Sequence, residues 1–598
     1  MAIAAQLCLS AAYIVQFSRS YGYGERLMVL HVSLVAAMTT GLLALGVALR
    51  RTRPRVAALL AGTAPFAVVA VVLLYATDHV SNRSWGHNVT YDLALQYLPR
   101  PWLLLSYVPL VADGVAVSAV AAVAVGIAWL MRPHVVGAGV ATLAQIPDRR
   151  RRYFGLTATA LAFAALAIGI VASTPWMSRS ALLARDPFIG FFFPQREYEF
   201  VESRAAIRHR REGPAARAAY VPTEGFVRRH VVLIVVDSLR ADHMEVYGYS
   251  RPTTPFLQQL RREGRLHVVR RAMSSCAESN CGISSVLSSK TVGSTVPENF
   301  KLHDLLRDVG YRVHFILSGK HEWFGLREFY GGDLDSYFDG TQATRFAATD
   351  DRVLLEGLEA VPPADGQPAF LHFHLMSTHQ IGVRQDRYEV FTPSLPHGRP
   401  DADLSARVNS YDNAVLQADG IIQQLFKELQ PKGYLNDALI MIVADHGESL
   451  GAPGEAAIGH GPSLRAEALN IPWLIVDDAQ AAYRNLEFGA QVDVAPTIVT
   501  RLGLPVPPSW EGRSLLLPLD DRFSFHYTNF AGRSTFAVVQ ARGSSLWKLV
   551  QSRGGEELFD LVADPREGRN LLSTADEAIL ARLRTGLASR IAAAIPAR

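Results

Sequence analysis

Apolar positions along this chain fall into two kinds of run. The first third holds long stretches, at about 2–17, 28–49, 56–76, 104–131 and 154–173. Met28–Leu49 and Val56–Ala76 contain no Asp, Glu, Lys or Arg. A stretch of that length spans a hydrocarbon core of ~30 Å as a helix. Residues 1–175 are therefore expected to form an α-helical transmembrane domain of about five spans. The first stretch is shorter and lacks the basic flank of a signal peptide, so it is read as a span. The loop after the second stretch carries Arg50, Arg51, Arg53 and Arg55. The loop after the fourth carries Arg132 and the run Arg149–Arg152. Basic loops stay in the cytoplasm, so residues beyond about 174 emerge on the other side. Asp113, inside the fourth stretch, is read as an interfacial or helix-facing residue rather than a functional one.

From residue 230 the runs become short. His230–Val236, Tyr311–Leu317, Ala369–Leu375 and Ala438–Ala444 are each about seven residues long and rich in Val, Ile, Leu and Phe. Helix-like patterns lie between them, near Pro255–Gly264, Asn299–Val309 and Ser410–Leu429. Apolar strands alternating with helices predict an α/β domain with a mostly parallel sheet and helices on both faces. Such sheets bind ligands beyond the carboxyl ends of their strands. All four runs end in polar residues: Asp237, Ser318, the stretch reaching His379, and Asp445-His446. Residues 176–229 connect the two parts, with an aromatic strip (Trp176–Phe193) suited to an interface and an Arg-rich connector after it. Residues 230–598 are taken as the catalytic domain.

Composition narrows the picture little. The net charge of +4 gives no case for a nucleic-acid partner. The three cysteines, Cys8, Cys276 and Cys281, form no CxxC and no zinc-finger ladder. A Cys276–Cys281 bridge and two free thiols both remain open at this point.

Candidate chemistry sits at the strand ends. Asp237 opens VDSLRADH, and a carboxylate there suits a divalent cation. An N-cap role is the plain alternative. ADHGES supplies Asp445, His446 and Glu448; an adjacent Asp and His can reach one ion as a mixed O/N set. Ser274–Ser289 reads as a polar loop entering a helix, where exposed N–H groups favour a nucleophile. Ser279, Asn280 and Cys281 are the candidates, against a simple Ser-rich cap. His379 and His460 are candidate general acids or phosphate-binding groups. His372 and His374 lie inside a strand and read as packing residues. Trp323 either lines a pocket or packs in the core.

The motifs carry a resemblance. VDSLRADHMEVYGY resembles the opening metal motif of the sulfatases and of the related lipoteichoic-acid synthases and phosphoethanolamine transferases. ADHGESLG resembles their second metal motif, LMSTHQ a segment supplying a substrate-binding His, and IGHG their later His motif. YDNAVLQADG, DVAPTIVTRLGL and LFDLVADPREGRNL are similar to further segments of this alkaline-phosphatase superfamily. The similarity covers about 230–572, in order. The resemblance implies an alkaline-phosphatase-like fold and one divalent metal, zinc or manganese before magnesium or calcium. Asp237, Asp445, His446 and the nucleophile would be its ligands. Aligning Val286-Leu287-Ser288-Ser289 with the family's later tetrad puts Ser279 at the nucleophile position, with Cys281 as the alternative. His379, His460 and Trp323 would touch substrate.

Ser279–Ile283 lacks the Pro and Arg of the sulfatase pattern, which argues against formylglycine and sulfate-ester hydrolysis. Ser238 stands where many sulfatases have a second Asp. The multi-span start resembles the transferase and synthase branches. The implied function is a metal-dependent phosphoryl-group transferase or phosphodiester hydrolase, acting on an envelope lipid or glycan. It would be an integral protein of a bacterial inner membrane, with its catalytic domain in the periplasm. A sulfatase is one alternative. A non-catalytic, lipid-binding envelope regulator is another.

Overall fold

A computed structural model of the protein describes residues 204–594, apart from 292, 323–324, 395–402, 456–457, 478–482, 520, 531–532 and 553, together with Leu74, Tyr75 and Phe191. Apart from those three residues, the five expected spans and the aromatic strip lie outside the described residues, as does Trp323. Among the described residues no helix is long and apolar enough to cross a membrane. The chain divides into two units, Met1–Glu197 and Tyr198–Arg598.

Among the described residues, fourteen strands build the second unit. In chain order they are β1 (Val231–Val236), β2 (Leu266–Val268), β3 (Ala272–Met273), β4 (Arg312–Leu317), β5 (Ser336–Phe338), β6 (Ala369–Leu375) and β7 (Leu439–Ala444). There follow β8 (Asn470–Ile471), β9 (Trp473–Val476), β10 (Gly489–Ala490), β11 (Arg522–Phe530), β12 (Arg533–Arg542), β13 (Ser545–Ser552) and β14 (Gly555–Asp560). Seven of them form the main sheet, ordered β2-β9-β7-β1-β6-β4-β5. Only β9 runs against the others, pairing antiparallel with β7 and β2.

The centre of this sheet follows from the sequence. β1 is VVLIVV, and every residue in it is buried. A strand covered on both faces needs a continuous apolar run rather than alternation, and β-branched residues suit the pleat. β6 and β7 flank it and are equally buried. One group of helices, Pro255–Arg262, Val353–Glu359 and Leu404–Leu429, packs together, and so does a second, Ser279–Ser288, Leu302–Asp308 and Val494–Arg501. The four expected strands are present, and the mostly parallel α/β reading holds for this sheet.

Register positions the site. Val236 lies opposite Leu375 on one side and Ala444 on the other. Asp237 and Asp445 therefore leave neighbouring strand ends at the same level. His374 stands one residue before the end of β6.

Two features extend the expected plan. β11–β14 form a separate four-stranded antiparallel sheet. The helix Glu577–Ala594 covers one of its faces, burying Leu580, Leu583 and Leu587 against Val538, Leu549 and Leu558. The expected connector contains a helix, Arg204–Ala218. It is largely exposed, but Arg217 ties it to Asp308 at 2.7 Å and Asp304 at 3.3 Å.

Candidate active site

Asp237 is the first residue beyond β1. Its N–H donates to Leu375 O at 2.8 Å, so the ladder holds its backbone. Ser238 follows with φ of 61°, in the left-handed region that costs a non-glycine residue energy. Surrounding bonds enforce that turn. Ser238 N donates to Asp445 Oδ1 at 2.9 Å, its hydroxyl donates to Asp237 Oδ1 at 2.8 Å, and its carbonyl accepts from Tyr411 at 2.6 Å. Tyr411 belongs to the long helix Leu404–Leu429, which thereby latches the loop.

Ser279 opens the helix Ser279–Ser288, where backbone N–H groups are unpaired by the helix itself. This helix lies against the end of β7. A Cβ on Gly282 would come 2.2 Å from Asp445 O, so only glycine permits the approach. Gln491 fastens the same corner, donating to Ala444 O at 2.8 Å and accepting from Ser275 N at 2.7 Å.

The side chains converge. Ser279 Oγ is 3.2 Å from Asp237 Oδ2 and 3.2 Å from His446 Nε2. His446 Nε2 is 3.6 Å from Asp445 Oδ2 and 3.8 Å from Asp237 Oδ1. His446 Nδ1 donates to Gly447 O at 2.8 Å, which leaves the Nε2 lone pair facing the cluster. All four expected groups thus meet, and all are buried.

A fifth group joins them. His374 Nε2 is 3.6 Å from Asp237 Oδ2. Atoms of Asp237, His374 and Asp445 all lie within 4.8 Å of one another. The packing role expected for His374 is therefore wrong. The strand pattern concealed it, because β6 is buried throughout and gives no alternation to mark a side chain aimed at the site. Its place one residue before the strand end was the available signal. His372, two residues deeper, stays among Phe315 and Tyr330 as expected.

The electrostatics are those of a site short of positive charge. Burial pushes the Asp445 carboxyl up to about 7. Burial, with Asp445 beside it, pushes Asp237 up to about 6. Burial holds His374 down at about 3, and burial with His460 nearby holds His446 at about 4. Asp445 Oδ2 and His374 Nε2 are buried and have no hydrogen-bond partner. Two carboxylates and two neutral imidazoles with idle lone pairs fit a divalent cation, and the mixed O/N set suits zinc or manganese.

His379 and His460 sit beside this cluster, partly exposed. Ring centroids are 5.2 Å apart for His379–His460 and 4.3 Å for His446–His460. Burial opposes charge on His460, but Glu448, accepting from it at 2.8 Å, overcomes this and raises it to about 9. His379 moves the other way, well below its ordinary value, through burial and the His460 charge. Gln380 holds the second Glu448 oxygen at 2.6 Å.

Cys281 does not join the cluster as a thiol. It is bridged to Cys276, with Cα atoms 6.3 Å apart. The bridge closes the loop that leads into Ser279, and it removes the alternative nucleophile for as long as it is intact.

The Sulfatase family model matches residues 229–504. The chain is 30% identical over 197 residues to the multifunctional alkaline phosphatase superfamily protein PehA of Trinickia caryophylli, covering 29% of this chain and 38% of that protein. It is 23% identical over 251 residues to the Kdo(2)-lipid A phosphoethanolamine 7''-transferase of Salmonella typhimurium, covering 40% and 42%. The chain thus spans less than half the length of these relatives. A solved structure, the integral membrane lipooligosaccharide phosphoethanolamine transferase A of Neisseria meningitidis, is 16% identical at a TM-score of 0.47, covering 85% of this chain and 96% of that one.

Proposed function

We propose that this chain, whose residues 229–504 match the Sulfatase family model, is an enzyme of the sulfatase superfamily: a membrane-bound, metal-dependent phosphoryl-group transferase or phosphodiester hydrolase. It acts on an envelope lipid or glycan through Ser279. One observation carries this reading: Ser279 Oγ meets Asp237 and His446 at 3.2 Å each, beside a histidine pair with opposite proton affinities.

Asp237, His374, Asp445 and His446 would hold the divalent ion, which when bound supplies charge to stabilise an alkoxide and the phosphoryl oxygens. The chain's own groups do the remainder. The Asp237 carboxylate, whose Oδ2 lies 3.2 Å from Ser279 Oγ, is the group able to take the Ser279 proton and to return it when Ser279 leaves. Ser279 Oγ bonds to phosphorus as the bond to the leaving alcohol breaks. His460, kept protonated by Glu448, gives that alcohol its proton. Neutral His379 takes a proton from the incoming acceptor hydroxyl or water, whose oxygen bonds to phosphorus and frees Ser279. Two histidines with diverging proton affinities supply the acid and the base.

The name of the Salmonella relative supports a transferase acting on a lipid. The missing Pro and Arg after Ser279, and the bridging of Cys281, weigh against formylglycine and sulfate-ester chemistry. The disulfide supports an oxidising compartment outside the cytoplasm. With the apolar N-terminal stretches and their basic loops, this points to a multi-pass inner-membrane protein with its catalytic domain in the periplasm.

The test is mass spectrometry on the full chain in membranes. Head groups should shift between membranes with the active protein and with Ser279→Ala. A phospho adduct should appear on the peptide around Ser279. A formyl-type mass loss there would turn the reading to a sulfatase. No divalent-ion binding at all would turn it to a lipid-binding regulator.

A further inference from the structure

The antiparallel sheet takes no part in the chemistry above, yet its first strand touches two of the loops that carry it. β11 lies at the edge of that sheet and pairs with β12 along its whole length, with Thr528 opposite Thr535. Ser524, His526 and Thr528 are spaced by two, so they share one face, and all three are buried. Polar side chains on a buried face need partners, and these find theirs around the candidate site. Burial holds the His526 imidazole down at about 3, so it is neutral. Its Nδ1 donates to Ser274 O at 2.6 Å, and its Nε2 accepts from Ser524 at 3.1 Å. Tyr527 N donates to Ser275 O at 3.1 Å. Two bonds thus fasten the loop that leads into Ser279, just before the Cys276–Cys281 bridge.

Thr528 reaches both loops. Its hydroxyl donates to Gly461 O at 2.7 Å and stands 3.3 Å from Glu278 Oε1. Glu278 precedes Ser279, and Gly461 follows His460. One buried hydroxyl therefore links the neighbour of the nucleophile to the neighbour of the acid. The His460 turn needs such support. Gly459 and Gly461 have φ of 111° and 103°, a backbone that glycine adopts freely and does not itself restrain. Before His460, Gly459 exchanges two hydrogen bonds with Ser449, at 3.0 and 2.9 Å, next to Glu448. After His460, Thr528 holds the Gly461 carbonyl.

We infer that Thr528 is a positioning residue for the reaction. Through Gly461 O it fixes the His460 turn against the strand that also holds the Ser279 loop, so that acid and nucleophile keep one spacing. This rests on the acid role given to His460 above. It adds to that role a residue from a sheet the chemistry does not otherwise use.

The test takes full-length protein in detergent and three variants. Thr528→Val keeps the shape and loses the hydroxyl. Thr528→Ala loses it without setting a methyl against the buried carbonyl, and Thr528→Ser keeps it. Two probes differ in how much their leaving group needs a proton. Bis-p-nitrophenyl phosphate releases an acidic phenol, and diphenyl phosphate a less acidic one. In the Val and Ala variants kcat/KM for diphenyl phosphate should fall by about tenfold or more, and for bis-p-nitrophenyl phosphate by no more than about twofold. The Ser variant should keep most of the diphenyl phosphate rate. Equal losses on the two esters would make Thr528 a packing residue only and overturn the assignment. So would a loss in Thr528→Ser as large as in Thr528→Val. Hydrogen exchange followed by mass spectrometry reads the turn without any turnover. The peptide covering Gly459–Gly461 should exchange about tenfold faster in the Val and Ala variants than in the parent or the Ser variant. Unchanged exchange overturns the assignment even where rates fall. If the parent protein turns over neither ester, the transfer reading fails, and exchange alone decides whether Thr528 holds the turn.

Discussion

Two of the regions of the second unit that bury charge are completed in opposite ways. Beside the antiparallel sheet, Lys548 and Glu567 are both fully buried and 2.7 Å apart. Arg465 lies 3.5 Å from Glu567 and 2.9 Å from Glu557. Two cations face Glu567, Glu557 and the neighbouring Glu467, so the chain itself supplies the counter-charge, although Glu567 Oε2 and Arg465 Nε lack a hydrogen-bond partner. At the ends of β1 and β7, Asp237 and Asp445 are just as buried, yet their neighbours are a hydroxyl and imidazoles that burial keeps neutral. That cluster leaves Asp445 Oδ2 and His374 Nε2 idle. Burial of charge therefore does not mark a functional site by itself. The mark is a pair of buried carboxylates to which the chain brings no Lys or Arg, only imidazoles and a hydroxyl.

The comparison breaks most visibly under substitution. Ser279→Ala removes only a hydroxyl from the open cluster. Phosphodiester turnover should fall by roughly 10³-fold or more, with the thermal midpoint unchanged. Lys548→Met should do the reverse. It leaves buried Glu567 with Arg465 alone, 3.5 Å away, which costs about 3 kcal/mol and lowers the thermal midpoint. Adding Glu567→Gln should restore most of that loss, because the pair is removed together. A Lys548→Met protein of unchanged stability would erase the distinction between the two regions.

The open cluster was more legible in the sequence than the closed one. Asp237 and Asp445-His446 end apolar runs, and a polar residue after a buried strand has few roles besides a cap or a ligand. Ser279 came from the family resemblance, since nothing in its own spacing separates it from Ser274, Ser275 or Cys281. His374 was hidden because a doubly covered strand is apolar on both sides, so its direction cannot be read from alternation. The antiparallel sheet was missed because β11 to β14 mix polar and apolar residues in a half-buried layer, as in RFSFHYTNF. The period-2 alternation of Phe523, Phe525 and Tyr527 is that of a half-buried strand, and a reading built on continuous apolar runs passed over it. The closed pair depended on Glu567, which adopts a φ of 56° in a turn and reaches Lys548 through the fold alone.

Glu448→Gln sharpens the comparison within the open region. Glu448 is what keeps His460 protonated to about pH 9, against the opposing effect of burial. The raised value means the acid is present below pH 9 and lost above it, so turnover should fall along an alkaline limb near 9. With Gln, burial prevails and His460 is neutral at pH 8. The limb should move toward acid, and the rate at pH 8 should drop by about 10²-fold. A pH–rate profile of phosphodiester turnover checks this. A limb that stays in place would take the acid role away from His460.

The smallest effect concerns stability and the ion. Asp237 and Asp445 hold protons more tightly in the folded protein, near 6 and 7, than carboxyls do in an unfolded chain. The sign follows from linkage. Their contribution to stability is full below the unfolded value of about 4 and is lost as pH rises through 6 to 7. His374 and His446 are neutral across that interval and add nothing to it. Metal-free protein should therefore carry two uncompensated carboxylates at pH 8 and few at pH 5.5. Zinc at modest excess should raise the thermal midpoint by roughly a few degrees at pH 8, and by much less at pH 5.5, where protons compete for the same atoms. Asp445→Asn should abolish the zinc increment, whereas Lys548→Met should lower both curves and leave the increment as it was. Differential scanning calorimetry with chelator and with zinc measures all four curves. An increment equal at both pH values, or one that survives Asp445→Asn, would mean that the ion binds elsewhere and that the strand-end cluster is complete without it.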